Sequence, residues 1–197
     1  IDYWLAPAMN IQRSILCGRN FEYYSEDPLI TGEIAAAVVN GVQKHRSVRA
    51  VIKHFCANNK ETNRYNNNSM VSRKALREVY LKGFEICIKK AKPKAVMTSY
   101  NLLNGIHTSE SKELIEDILR GEWGFDGIVM TDWIKSGMVV NKASVYPSAY
   151  SGTMIAAGCD IIMPGSAADI EDILNGIKTG RLSVQRLKKA ASKILIS

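Results

Sequence analysis

The chain has 197 residues, 46% of them hydrophobic and 23% charged, enough apolar material for one domain's core and too much for a disordered or low-complexity chain. No run approaches the ~18 apolar residues of a membrane-spanning helix. The formal net charge of +7 is scattered along the chain rather than gathered into the basic stripe that nucleic acid selects. Cys17, Cys56, Cys87 and Cys159 lie far apart with no C-x-x-C pair, a spread that fits buried, reduced thiols better than a disulfide framework or a zinc site.

In chain order, short apolar runs alternate with amphipathic helices. The first run, Tyr3–Ala6, leads into a long polar segment. Asp27-Pro28 then reads as an N-cap followed by an N1 proline, with Ile34, Val38 and Val42 recurring along one face. After the run Ala50–Phe55, Ser72 is placed to cap a helix carrying Leu76, Tyr80, Phe84, Cys87 and Ala91. The run Ala95–Ser99 precedes a helix opened by Ser111, with Leu114, Ile115, Ile118 and Leu119 on its apolar face and Gly124 as its stop. The runs Gly127–Thr131 and Cys159–Met163 complete the set. Two helices follow, one with Ile170, Ile173, Leu174 and Ile177, ended by Gly180, and one opened by Ser183 with Val184, Leu187, Ala191 and Leu195. The lysine groups Lys89, Lys90, Lys92, Lys94 and Lys188, Lys189, Lys193 fall at helix ends and solvent faces, where they complement the helix dipole.

The five runs are short, rich in Val, Ile and Met, and lack clean alternation, as expected of parallel strands buried on both faces. The fold class is therefore α/β. No G-x-G-x-x-G follows the first strand, so a dinucleotide-binding sheet is disfavoured. A closed (β/α)8 TIM-like barrel takes ~31 residues per unit, so five strands make an incomplete barrel with about three N-terminal units outside residues 1–197.

In such folds the residues just past the strands' carboxyl ends converge on one crevice. Here these include Arg19, Lys53, His54, Arg64, Tyr100, Asp132 and Trp133. An aspartate directly after a strand is partly desolvated, which raises its pKa, while neighbouring cations oppose the rise and keep it ionised. An ionised carboxylate beside an aromatic platform is what attack on an anomeric carbon requires. Each residue alone also fits a bland role: Asp132 as a cap or ion-pair partner, Lys53 and His54 as core polar groups, Met97, Tyr100 and Trp133 as packing, and Arg19 bracing its loop against Glu22 or Glu26. The coincidence on four successive strands brings an active site level with these bland readings. A second barrel chemistry, with Lys53 as a Schiff-base lysine and Pro164-Gly165-Ser166 binding phosphate before a helix, is the weaker alternative.

The ordered motifs L-C-G-R-N-F-E-Y-Y-S-E-D-P (Leu16–Pro28), K-H-F-x-A-N-N-x-E-T-N-R (Lys53–Arg64), V-M-T-S-Y-N (Val96–Asn101), W-G-F-D-G (Trp123–Gly127), V-M-T-D-W (Val129–Trp133) and A-G-C-D-I-I-M-P-G (Ala157–Gly165) resemble glycoside hydrolase family 3, and most of all its bacterial β-glucosidases. The resemblance implies a retaining glycosidase that releases terminal β-D-glucosyl residues. Asp132 matches the catalytic nucleophile, and Arg19, Lys53, His54 and Arg64 match residues that hold the sugar's hydroxyls at subsite −1. Met97 and Tyr100 match positions lining that subsite, and Trp133 matches the aromatic wall at subsite +1. No cofactor or metal is implied. The partner is a β-glucoside or short β-linked oligosaccharide. A β-xylosidase or other exo-glycosidase of the family, or a non-catalytic barrel fragment, is the alternative.

Departures from the family pattern are equally specific. The Asp-Gly-Pro segment of an earlier strand and the acid/base Glu of a second α/β sandwich domain lie outside this sequence. The chain is thus expected to form the C-terminal portion of the barrel (residues 1–197), completed by the same gene product or another chain, and to hydrolyse aryl β-glucosides poorly when isolated. Lys53-His54-Phe55 is followed by Cys56-Ala57-Asn58-Asn59, which disfavours the N-acetylglucosaminidase branch with its G-H-G-D-type loop. Ile134-Lys135-Ser136 follows Trp133 where many relatives carry glycine, so an unusual loop is expected beside subsite +1. Ile1–Ile11 has no basic n-region of a signal peptide; the cellular address stays open, with the cytoplasm favoured.

Overall fold

The computed structural model describes residues 2–133, 146 and 148–196. In chain order the elements are β1 (Tyr3–Trp4), α1 (Pro28–Val42), β2 (Arg49–Phe55), β3 (Asn68–Ser69), α2 (Arg73–Ala75), α3 (Lys82–Ala91), β4 (Ala95–Thr98), β5 (Leu102–Leu103), β6 (Ile106–His107), β7 (Ile128–Trp133), α4 (Ser151–Ala157), β8 (Ile161–Met163), α5 (Ala167–Lys178) and α6 (Val184–Ile196). A π-helical stretch, Leu76–Tyr80, joins α2 to α3, and a second π helix, Glu113–Glu122, precedes β7.

The five expected strands lie side by side in the order β1-β2-β4-β7-β8, every pair parallel, and curl into half of an α/β barrel. Each crossover runs through a helix, the arrangement that parallel neighbours require. Val51, Ala95, Met97, Ile128 and Met130 form a buried cluster on one side of the sheet, backed by Tyr3, Leu5, Ile161 and Met163. Ile52, Val96 and Val129 point the other way, into the helix layer. There Phe55 meets Phe84 and Trp123 edge-on, with ring centroids 5.2 and 6.0 Å away. Such pairs add to the apolar area they bury.

The caps form where the sequence placed them. The Asp27 carboxylate accepts from the backbone N–H groups of Leu29 and Ile30 at 2.7 and 3.2 Å, and Ser72 and Ser111 accept from Ala75 and Leu114. All four cysteines are buried and free, and burial pushes the Cys87 thiol up to about 12.

Three expected faces differ. In α1 the buried residues are Thr31, Gly32, Ala35, Ala36 and Val39, while Ile34 is exposed. The reason is the close crossing of α1 over α3. A Cβ at Gly32 would stand 2.8 Å from Ile86 Cβ and 2.9 Å from the Gly83 carbonyl, so the contact selects small residues over the larger aliphatics. In α5, Ile173 and Ile177 pack against the cluster of Ile155, Leu182 and Ala190, leaving Ile170 and Leu174 exposed. In α6, Ala190 rather than Ala191 is buried, and Val184 and Leu195 are exposed. Both helices cover one side only, so Ile170 and Leu174 of α5 and all of the α6 stripe but Leu187 are left unused. Sequence periodicity also passed over α4 and the small sheet β3-β5-β6, in which β3 pairs parallel with β5 and β5 antiparallel with β6. That sheet ties the loop after β2 to the loop after β4 at the rim where the polar residues gather.

Candidate active site

Asp132 sits at the end of β7 and is 5% exposed. Its Oδ1 accepts from the Trp133 backbone N–H at 2.8 Å, whereas Oδ2 has no hydrogen-bond partner among the described residues. A buried carboxylate oxygen left open in this way is costly unless something else completes it. Burial pushes the Asp132 carboxyl above its usual value, and the Trp133 N–H, Arg19, Tyr100 and Arg64 pull it part of the way back.

His54, 1% exposed at the end of β2, brings Nε2 to 3.9 Å from Asp132 Oδ2. The approach is not an ion pair. Burial, then the charges of Arg19, Lys53 and Arg64, hold the imidazole well below its usual pKa, so it is neutral near pH 7. Nε2 accepts from Arg19 Nη1 at 2.6 Å, which assigns the proton to Nδ1. Asn10, from the loop after β1, clamps the His54 backbone from both sides: its Nδ2 donates to the His54 carbonyl and its Oδ1 accepts from the His54 N–H, each at 2.9 Å. The Lys53–His54 and Phe55–Cys56 peptide bonds flanking this clamp are cis.

Arg19 reaches the pocket from the 3-10 turn Asn20–Glu22 that it caps. Its Nε lies 3.1 Å from Glu22 Oε1, and Lys53 Nζ lies 3.7 Å from Glu22 Oε2. On the far side Glu61 Oε2 accepts from Arg64 Nη1 at 2.8 Å and lies 3.9 Å from Arg19 Nε. Arg64 rests over the Tyr100 ring (4.7 Å to the centroid) and the Tyr65 ring (5.1 Å), two rings packed edge to face at 4.7 Å. Burial works against its charge, but hydrogen bonds to Tyr65 and Glu61 outweigh that and hold Arg64 more firmly protonated. Burial, then the Asp132 charge, raises the pKa of Tyr100, so its hydroxyl stays protonated and can donate.

Arg19, Lys53, His54, Arg64, Tyr100 and Asp132 therefore do meet at one rim of the sheet. Met97 is 2% exposed and belongs to the apolar cluster inside the half-barrel. Trp133 is 54% exposed at the rim. Ile134-Lys135-Ser136, where an unusual loop was expected, lies outside the described residues. Sequence reasoning read Glu22 only as a brace for Arg19 and Glu61 only as part of the Lys53–Arg64 motif, and it passed over Asn10 and Tyr65. The i,i+3 spacings Arg19–Glu22 and Glu61–Arg64 were a readable signal; the Asn10 clamp bridges 44 positions and had none. Among the described residues no three metal-ligating side chains cluster. The phosphate reading fails on geometry: the start of α5 is already capped, with Ser166 Oγ accepting from the Asp169 N–H and the Asp169 carboxylate lying in the first turn.

Residues 1–196 match the Glycosyl hydrolase family 3 N terminal domain. The chain is 43% identical to a β-glucosidase of Ruminococcus albus over 99% of its own length and 20% of the relative's, and 45% identical to a β-glucosidase of Rhizobium radiobacter over 98% and 22%. Among solved structures, β-glucosidase 3B from Thermotoga neapolitana in complex with glycerol superposes with a TM-score of 0.89 at 48% identity, over 99% of this chain and 27% of that one. The chain thus spans about a fifth of the curated relatives' length.

Proposed function

Since the chain belongs to glycosyl hydrolase family 3, we propose that residues 1–197 are part of the barrel domain of a retaining, β-glucosidase-type glycoside hydrolase, with Asp132 as nucleophile. The observation that carries the reading is the open Oδ2 of a buried carboxylate set among cations and a neutral imidazole. In the proposed first step Oδ2 attacks the anomeric carbon of a terminal β-D-glucosyl residue from the face opposite the leaving oxygen. The bond to the aglycone breaks, and a covalent glycosyl ester forms. Water then cleaves the ester, and two inversions restore the original configuration.

Arg19, Lys53 and Arg64 supply charge-assisted donors to the sugar hydroxyls. Neutral His54 offers a polar edge without neutralising the nucleophile. The Tyr100 hydroxyl, kept protonated by burial and the nearby Asp132 charge, stands ready to donate, and its ring carries Arg64. Met97 forms the apolar floor, and exposed Trp133 offers a stacking face toward the aglycone.

The leaving oxygen needs a proton from a second carboxyl ~5–5.5 Å from the first. Glu22 and Glu61 are each committed to cations, so the reading assigns the acid/base to a residue outside this chain. The rest of the barrel and an α/β sandwich domain would come from the same gene product or another chain.

The test is to incubate the full-length protein that carries this chain with a 2-deoxy-2-fluoro-β-glucoside and map the modified peptide by mass spectrometry. The expected adduct is on Asp132, with Asp132→Asn unlabelled and slowed by ~10⁴-fold. Labelling of another carboxylate in an active sample would reject the assignment.

A further inference from the structure

We propose that Glu22 is a positioning residue of this site: by giving one carboxylate oxygen to Arg19 and the other to Lys53, it holds both cations at the sugar and off the nucleophile. The inference rests on the glycosidase reading and concerns a residue to which that reading gives no role.

The geometry is local on one side and long-range on the other. Arg19 caps the turn Asn20–Glu22, so the i,i+3 spacing lays the Glu22 carboxylate along the guanidinium, Oε1 to Nε at 3.1 Å. The second oxygen meets Lys53 Nζ, from β2, at 3.7 Å. Glu22 lies against the Nε side of Arg19 as an ion pair without a hydrogen bond, while Arg19 Nη1 donates to His54 Nε2. Glu61 makes the equivalent bridge between Arg19 and Arg64. The resulting chain, Lys53–Glu22–Arg19–Glu61–Arg64, alternates in sign, so neighbouring cations do not repel one another out of register.

The open Oδ2 of Asp132 gives this order its purpose. The groups facing Asp132 come from every element around it: Arg19 from the loop after β1, His54 from β2, Arg64 from the loop after β2, Tyr100 from the loop after β4, and the Trp133 N–H from β7 itself, with Lys53 acting on His54 and Glu61 holding Arg64. An arginine released from Glu22 would find the unpaired oxygen within its sweep. A guanidinium paired to Oδ2 would quench the lone pair that attacks carbon. Glu22 and Glu61 thus favour an arrangement in which the cations await hydroxyls.

The experiment compares Glu22→Gln, Glu22→Asp and Glu26→Gln in the full-length protein, reading kcat and KM for an aryl β-glucoside across pH. Glu26 is exposed in the same loop and serves as the control for a charge change alone. Glu22→Gln is expected to raise KM ~10-fold, to lower kcat, and to move the acidic limb of kcat/KM to lower pH, because an Arg19 freed from Glu22 can turn its charge toward Asp132. Glu22→Asp keeps the charge but is too short to span both cations, so KM should rise and the limb should move in the same direction by less. Glu26→Gln should change neither. A Glu22→Gln enzyme with wild-type KM and an unmoved limb overturns the inference, as does a limb shift that Glu26→Gln reproduces. If Glu22→Gln does not fold, Glu22→Asp decides alone, and a wild-type KM in that variant rejects the role. Absence of turnover in the wild type rejects the glycosidase reading together with this one, whereas normal wild-type turnover with unaffected variants rejects only the role of Glu22.

Discussion

Asp132 and Asp160 are both 5% exposed, and both belong to the β7–β8 half of the sheet, yet their surroundings differ. Asp160 Oδ2 accepts from the Val129 N–H at 3.0 Å and from Arg120 at 2.6 Å, and Oδ1 accepts from Arg186 at 3.2 Å. Arg120 also donates to the carbonyls of Gly127 and Gly158, and Arg186 to that of Cys159, so the cluster stitches β7, the preceding π helix and α6 together. Among the described residues Asp132 has one backbone donor and no hydrogen-bond partner on its second oxygen. A carboxylate saturated by donors is inert and holds structure. One left short of partners costs the fold stability.

Deleting Asp160 should produce the largest loss of stability. Asp160→Ala removes the nearer carboxylate from two arginines whose side chains are only 9% and 13% exposed, leaving them Glu116 at 3.5 and 3.9 Å. Breaking a buried pair from one side costs about 3–5 kcal/mol. Equilibrium urea unfolding checks this, and a loss below about 1 kcal/mol would mean that water already satisfies the guanidinium groups. A smaller effect, on function rather than stability, is expected at Arg64. Arg64→Lys keeps the charge but loses the paired bonds to Glu61 and the Tyr65 hydroxyl and the stacking on Tyr65 and Tyr100. KM for a β-glucoside should rise ~10-fold with kcat less affected, equivalent to about 1.4 kcal/mol of binding. An unchanged KM would place Arg64 in the rim's scaffolding instead of at the sugar.

The contrast also marks what the linear sequence could carry. The five strands were legible because a buried parallel strand is a compact apolar run. Asp27, Ser72 and Ser111 were legible because a cap is a contact within three residues. Parallel topology then gathered Arg19, His54, Arg64, Tyr100 and Asp132 without any coordinate. Ile34 was misread since helix periodicity reports an apolar face but not the close α1–α3 crossing that reserves the core side for Gly32, Ala35 and Ala36. Glu22 stood in a motif that was noticed for its arginine, and its second partner, Lys53, is 31 residues away. The Asn10 clamp on His54 is a side chain reading a distant backbone, for which residue type and spacing give no cue.

The smallest expected effect tests the difference between the two aspartates most directly, since it asks whether removing a charge can help. Burial is the main reason that the Asp132 carboxyl lies above its usual value in the folded chain. Between the unfolded and folded pKa values the native state therefore holds more proton than the unfolded state, and stability declines as pH rises through that window. Above the window the full cost of the buried charge is present; below it the group is protonated in both states and costs nothing. Asn at this position still offers an oxygen to the Trp133 N–H and carries no charge. Asp132→Asn should consequently melt a few degrees higher than the wild type at pH 7, and the advantage should shrink to nothing as pH falls to the ordinary carboxylate range. Thermal melts at several pH values measure both features. A variant that melts lower than the wild type at pH 7 would show that Arg19 and Arg64 more than repay the burial of Asp132, making it as structural as Asp160.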